Sequence, residues 1–217
     1  MSTNPRIIRT RTRLRDALVE LISERDISAI NVQDVTHRAE VNRTTFYLHY
    51  TGIEDLLDDT LDQIVRDLDD RARVILGSDA DLSVPYLPTG TPSWYTYLGE
   101  RPAFFYKLCT EPMGASFARK LQKSVEAQFH IIWDRYQLEP EEGAPPADVR
   151  ATFYAGAVIS IVTKWVCDGA DPGRIKDYDN WTWSLLIPIW TSRVKNPPPL
   201  TSAAPGIFPD VITPVSD

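Results

Sequence analysis

The stretch INVQDVTHRAEVNRTTFYLHY, residues 30–50, decides the fold. It reads as two short helices broken by a tight turn. Asn31 is placed to cap the first helix, with Asp34 at its third position. Asn42 is placed to cap the second, which runs on through Arg43, Thr44, Thr45, Phe46, Tyr47, Leu48, His49 and Tyr50. Ile30 with Val35, and Val41 with Phe46, stand across the two caps at hydrophobic-staple spacing. Val32, Val35 and Ala39 share one face, a small buried stripe. Two capped starts so close together leave room for a first helix of about two turns, which suits a helix-turn-helix better than a hairpin of long helices. A short, polar, slightly basic second helix suits the DNA major groove.

Upstream, residues 9–25 carry Leu14, Ala17, Leu18, Leu21 and Ile22 at helical spacing, so a third helix is expected to cover the pair. Arg6, Arg9, Arg11, Arg13 and Arg15 precede any acid. Two readings of that run stand open, a solvated tail and an arm that contacts phosphates. Residues 1–52 hold eight arginines and six acids, a net of +2, whereas residues 53–217 hold fifteen Lys/Arg and twenty-four acids, a net of −9. A mildly basic head on an acidic body turns the head toward DNA and holds the body off it.

The 217 residues and ordinary apolar content allow a sizeable core in one or two domains. The arginine-rich start lacks the long apolar run of an export signal, and no stretch is uncharged for long enough to span a bilayer, so a cytoplasmic protein away from membranes is expected. Cys109 and Cys167 lie far apart with no CxxC pair. Two buried free thiols are the simpler expectation, a redox switch the other.

The rest of the chain reads as helices. A long fourth helix from Gly52 and Glu54 to about Leu76 has Leu57, Leu61, Ile64, Val65, Leu68 and Ile75 inward, with Asp58, Asp59, Asp62, Asp67, Asp69 and Asp70 on a solvated face. Residues 77–92 are a turn-rich loop. Short helices are expected from Ser93 and from Pro102, a residue suited to a first turn. A longer one covers residues 114–137. After a proline-rich linker, residues 139–146, a strongly apolar helix spans 147–168, with Gly169 placed to end it. A last helix, 177–194, carries Trp181, Trp183, Leu185, Leu186, Ile189 and Trp190, and Pro188 is expected to kink or break it. Residues 197–217, rich in proline, form a tail.

The head resembles the TetR family of bacterial regulators. The residues that carry the likeness are Ile30, Val32, Asp34, Val35, Ala39, Val41, Thr45, Phe46, Tyr47, His49, Tyr50, Glu54, Leu56 and Leu57, without gaps. Three departures stand out. Glu40 takes the place of the usual turn glycine, Asn42 that of a serine cap, and Gly52-Ile53 that of Ser-Lys, so the family's phosphate-holding lysine is missing. The resemblance implies an all-α protein: a three-helix helix-turn-helix domain over 1–52, then a helical effector-binding and dimerisation domain over 53–196. It also implies a homodimer paired through the last two helices, and double-stranded operator DNA and a small effector as partners.

On that reading Arg43, Thr44 and Tyr47 reach base edges. Asn31, Asn42, Thr45, Tyr47, His49, Arg9 and Arg11 are candidates for the backbone. For His49 a packing role at the helix end is the other reading. Trp94, Phe105, Phe117, Phe129, Trp133, Phe153, Tyr154 and Trp165 are the candidate lining of an effector pocket, or else plain core. His130 beside them reads as a core histidine. The expected function is a regulator, a repressor, released from a palindromic operator by a mostly apolar ligand. The alternative is a coactivator of the same fold that binds a protein partner. No catalytic elbow, phosphate-cradling glycine loop or metal motif is visible, so no enzyme, cofactor or metal is expected.

Overall fold

A computed structural model describes residues 5–77, 93–135 and 143–191. Among the described residues there are nine α-helices and no strands. They are α1 (Pro5–Glu24), α2 (Val32–Arg38), α3 (Arg43–Tyr47), α4 (Ile53–Gly77), α5 (Trp94–Gly99), α6 (Pro102–Thr110), α7 (Gly114–Arg135), α8 (Ala147–Cys167) and α9 (Ile175–Thr191). Most of the loop at 77–92, part of the linker at 139–146, the tail, and the side chains of Ile75, Pro188, Ile189 and Trp190 lie outside what is described.

The all-α expectation holds, and so do the starts of most elements. The inward face of α1 is Leu14, Ala17, Leu18, Leu21 and Ile22, joined by Val19. Ser93 caps α5, its hydroxyl accepting from Thr96 N, and Pro102 opens α6. Gly169 follows α8 with φ +103°, the left-handed stop that a side chain resists. At the start of α7 a Cβ on Gly114 would sit 1.6 Å from Leu108 O, so only glycine lets α7 lie this close to α6.

Four expectations need correction. α3 ends at Tyr47, not at Tyr50, because Tyr50 turns back into the core. α9 runs on through Pro188 unbroken. The acids of α4 are not merely solvated: Asp58 and Asp62 pair with Lys120, Asp67 accepts from Tyr97 Oη, and Asp69 accepts from Ser124 and Gln128. Cys167 is exposed rather than buried, and Cys109 is half-buried.

One continuous apolar cluster runs from Leu14 in α1 to Tyr178 in α9. α1 packs on α2, α4 and α6, and α8 packs on α6, α7 and α9. Head and body therefore share a core through α1, α4 and α6. α8 is apolar nearly all round, so its pattern alone does not say which side faces inward. The buried side is Ala151, Ala155, Val158, Val162 and Trp165. Val149, Phe153 and Ala157 are turned outward, as are Asp177, Trp181 and Leu185 on α9.

Candidate nucleic-acid interface and effector cavity

The turn of the helix pair is built from caps. Asn31 Oδ1 accepts from Gln33 N and Asp34 N, while Asp34 Oδ2 accepts from Asn31 N at 3.0 Å. The Asn31 N–H, helped by Arg25, holds the Asp34 carboxyl below the usual range. Glu40 occupies the turn with φ 51°, and Val41 N donates to Thr36 O at 2.9 Å. Asn42 Oδ1 accepts from Thr44 N at 2.8 Å and so starts α3. Phe46 is fully buried and locks α3 down by edge contact with Tyr47 and tilted contact with Tyr50.

With Phe46 inward, Arg43, Thr44, Tyr47 and Leu48 face outward. The Arg43 guanidinium lies 5.7 Å from the centre of the Tyr47 ring and donates to Tyr47 Oη at 3.3 Å. Leu48, 77% exposed, was not singled out by sequence reasoning. A leucine on a helix pattern reads as core, and only the early end of α3 turns it out. Thr45 and His49 are half-buried. His49 packs against Tyr50 at 6.4 Å, so its visible contact is the packing one.

Arg6, Arg9, Thr10 and Arg13 of α1 face Asn42 and Thr45 across a polar furrow. Arg9 is exposed there. Arg13 instead pairs with Glu40 at 2.9 Å. Arg11 is turned inward, donating to Tyr50 Oη at 3.2 Å and to Asp59 on α4. Its half-exposed guanidinium is thus engaged by Tyr50 and Asp59, which counts against the phosphate role expected of it. Arg25 pairs with Asp34, and Arg38 with Glu20 and Glu24 of α1. The head's positive charge is therefore concentrated near the furrow and Arg43.

The body holds two adjoining cavities that share Trp94 and Val162 as walls. One, of about 120 Å³, lies among α4, α5, α7, α8 and α9, with Phe129, Ile132 and Trp183 in its lining. The other, of about 210 Å³, is lined by Phe105, Leu108 and Phe117 among others. Trp94, Phe105, Phe117 and Phe129 are in the lining of one or both of these cavities.

Phe153, Trp133, Tyr154 and Trp165 are not in the lining of either of these two. Phe153 is 71% exposed, about a hundred degrees round α8 from the half-buried Tyr154. Trp133 is buried beneath the Arg150 guanidinium, 4.4 Å from its ring. Tyr154 packs on Phe129 at 5.5 Å. Trp165 is wedged between Tyr95 and Tyr178, with Gly99 against its ring. His130 is exposed, edge-on to Trp133, and is not a core histidine. Sequence reasoning missed the polar groups of the smaller cavity, Ser93, Gln128, Asp179 and Thr182. They come from the cap of α5, from α7 and from α9, and only Asp179 and Thr182 share a helix.

No helix of the described residues is long and apolar enough to cross a membrane. The paired, capped helices on an all-helical body place the chain in the class of helix-turn-helix regulatory proteins. The model of the bacterial regulatory proteins, tetR family, matches residues 14–60. The chain is similar to the uncharacterized HTH-type transcriptional regulator YxbF of Bacillus subtilis (strain 168), with 38% identity over 53 residues. That match covers 24% of this chain and 14% of the relative's length.

The fold is similar to the dihydroxyacetone kinase operon activator DhaS, with TM-score 0.57, 17% identity, and coverage of 84% of this chain and 96% of that one. It is similar to the TetR family repressor AlkX from Dietzia sp. strain DQ12-45-1b, with TM-score 0.53, 15% identity, and coverage of 84% and 96%. It is similar to Thermus thermophilus FadR, solved in complex with lauroyl-CoA, with TM-score 0.50, 15% identity, and coverage of 87% and 98%. At these identities the likenesses establish the fold alone. The head thus matches the TetR family over residues 14–60, and the described residues share the fold of TetR-family structures.

Proposed function

We propose that the chain is a homodimeric repressor that binds a near-palindromic operator and leaves it when a small, mostly apolar molecule fills the body. In this reading residues 1–52 read DNA, and residues 53–196 bind the effector and pair with a second copy. It acts in the cytoplasm, where its operator is. The observation that carries the reading is the outward face of α3. Arg43, Thr44 and Tyr47 project from a helix whose other side is locked by Phe46. Arginine suits a guanine edge, and a threonine methyl suits thymine. Arg9 across the furrow, with the capped starts of α2 and α3, is placed for phosphates.

Two such helices related by a two-fold axis would enter successive major grooves about 34–36 Å apart. That FadR, a protein of similar fold, was crystallised in complex with lauroyl-CoA supports a ligand for this chain, and the two cavities support its place in the body. Selection of duplexes from a randomised pool tests the proposal. An inverted repeat should emerge, and Arg43→Ala should relax one position per half-site at about 1–3 kcal/mol. Recovery of no preferred duplex by the intact protein would sink it and favour the coactivator reading.

A further inference from the structure

The smaller cavity has one feature that a purely apolar ligand leaves unused. Its lining includes the rings of Trp94, Tyr95, Phe129 and Trp183 and a single ionisable acid, Asp179 of α9. No lysine, arginine or histidine is in that lining. The other polar groups are engaged within the protein. Trp94 Nε1 donates to Leu68 O at 2.9 Å, Tyr95 Oη bonds Thr182 Oγ1 at 2.6 Å, and Gln128 Nε2 donates to Asp69. Asp179 Oδ1 accepts from Ser93 Oγ at 2.7 Å. Burial lifts the Asp179 carboxyl above its usual range, and the Ser93 hydroxyl draws it part of the way back.

We infer that the effector is a cation: a compact ring-bearing molecule whose protonated amine or quaternary ammonium head sits at Asp179, with its apolar part against the aromatic wall. The inference rests on the ligand-release reading above and names the chemistry of that ligand. A half-buried carboxylate without a cation is costly, and a ligand cation offsets that cost. The faces of tryptophan, tyrosine and phenylalanine attract a cation through their quadrupole. An anionic ligand meets repulsion from the same carboxylate.

The test is titration of the purified full-length protein with phenethylammonium, phenethyl alcohol and hydrocinnamate, which share a ring and a two-carbon arm. The cation should bind at least roughly tenfold tighter than the alcohol, and the anion weakest. Asp179→Asn, which still accepts from Ser93, should erase that advantage and leave the alcohol's affinity in place. Ala72→Leu, which narrows the cavity, should weaken all three. The wild-type ranking decides the matter even if a variant does not fold.

Equal binding of alcohol and ammonium, a preference for hydrocinnamate, or binding of none of the three overturns the inference. So does a ranking that survives in folded Asp179→Asn. Operator retention is measured on the same samples. If a neutral ligand releases the duplex and the ammonium does not, the function stands and this inference falls. If no duplex is retained at all, the function falls whatever the ranking.

Discussion

Glu40 is the residue where local physics and sequence disagree most. Its φ of 51° puts a side chain in the left-handed region, which costs on the order of 1 kcal/mol relative to glycine. The exposed pair with Arg13 returns little of that. Glu40→Gly is therefore expected to raise the unfolding free energy by roughly 0.5–1 kcal/mol. It should also release Arg13 toward the furrow and remove a negative charge from it. Tighter, more steeply salt-dependent binding to duplex DNA should accompany the gain in stability. Chemical denaturation and binding over a salt series check both, and a less stable glycine variant would mean that the Arg13 pair outweighs the strain. Caps such as Asn31 and Asn42 were legible in the sequence because they act within three residues. The inward turn of Arg11 was not, since Asp59 lies 48 positions away.

Among the elements, α1, the turn after α3, and α4 are tied by one polar cluster. Tyr50 Oη donates to Asp59 Oδ2 at 2.6 Å and accepts from Arg11, while Arg15 reaches Asp59 at 3.5 Å and Gln63 at 3.0 Å. Burial, followed by the bond to Asp59, pushes the Tyr50 phenol from its ordinary 10 up to about 12. The folded state thus favours the protonated phenol. Its contribution to stability is whole below pH 10 and disappears as pH rises through about 12.

Tyr50→Phe should be less stable than the wild type at neutral pH, and the gap should close between pH 10 and 12. Denaturant midpoints measured on both proteins across that range test it, and a constant gap would refute it. Helical periodicity located α1, α4 and α8 within a few residues. It did not tell the inward side of α8, where Phe153 is exposed and its neighbour Tyr154 half-buried. For a helix apolar all round, that choice belongs to tertiary packing.

For the molecule as a whole, the outward rows Val149, Phe153, Ala157 and Trp181, Leu185 offer an apolar surface on two adjacent helices. A two-fold pairing through α8 and α9 would cover it and bury an area of at least standard interface size. Phe153→Glu with Leu185→Glu, at positions 71% and 62% exposed, should give a folded monomer with native helix content. Its operator affinity should drop steeply, because each head alone holds half a site. Sedimentation that finds the wild type monomeric at micromolar concentration, or the double variant still dimeric, rules this pairing out.

Trp94 gives the protein a built-in optical gauge. Its indole stands in the partition between the two cavities, while its N–H is tethered to the carbonyl of Leu68 on α4, the helix that begins beside the head. Anything entering either chamber changes what surrounds that ring, and any shift of α4 loosens the tether. The emission difference between wild type and Trp94→Phe should therefore move when phenethylammonium is added. It should move again when duplex is added to the ligand-free protein, so that one chromophore reads chamber and helix in the same cuvette. A difference spectrum that ignores both additions would mean that partition and helix stay still while the protein works.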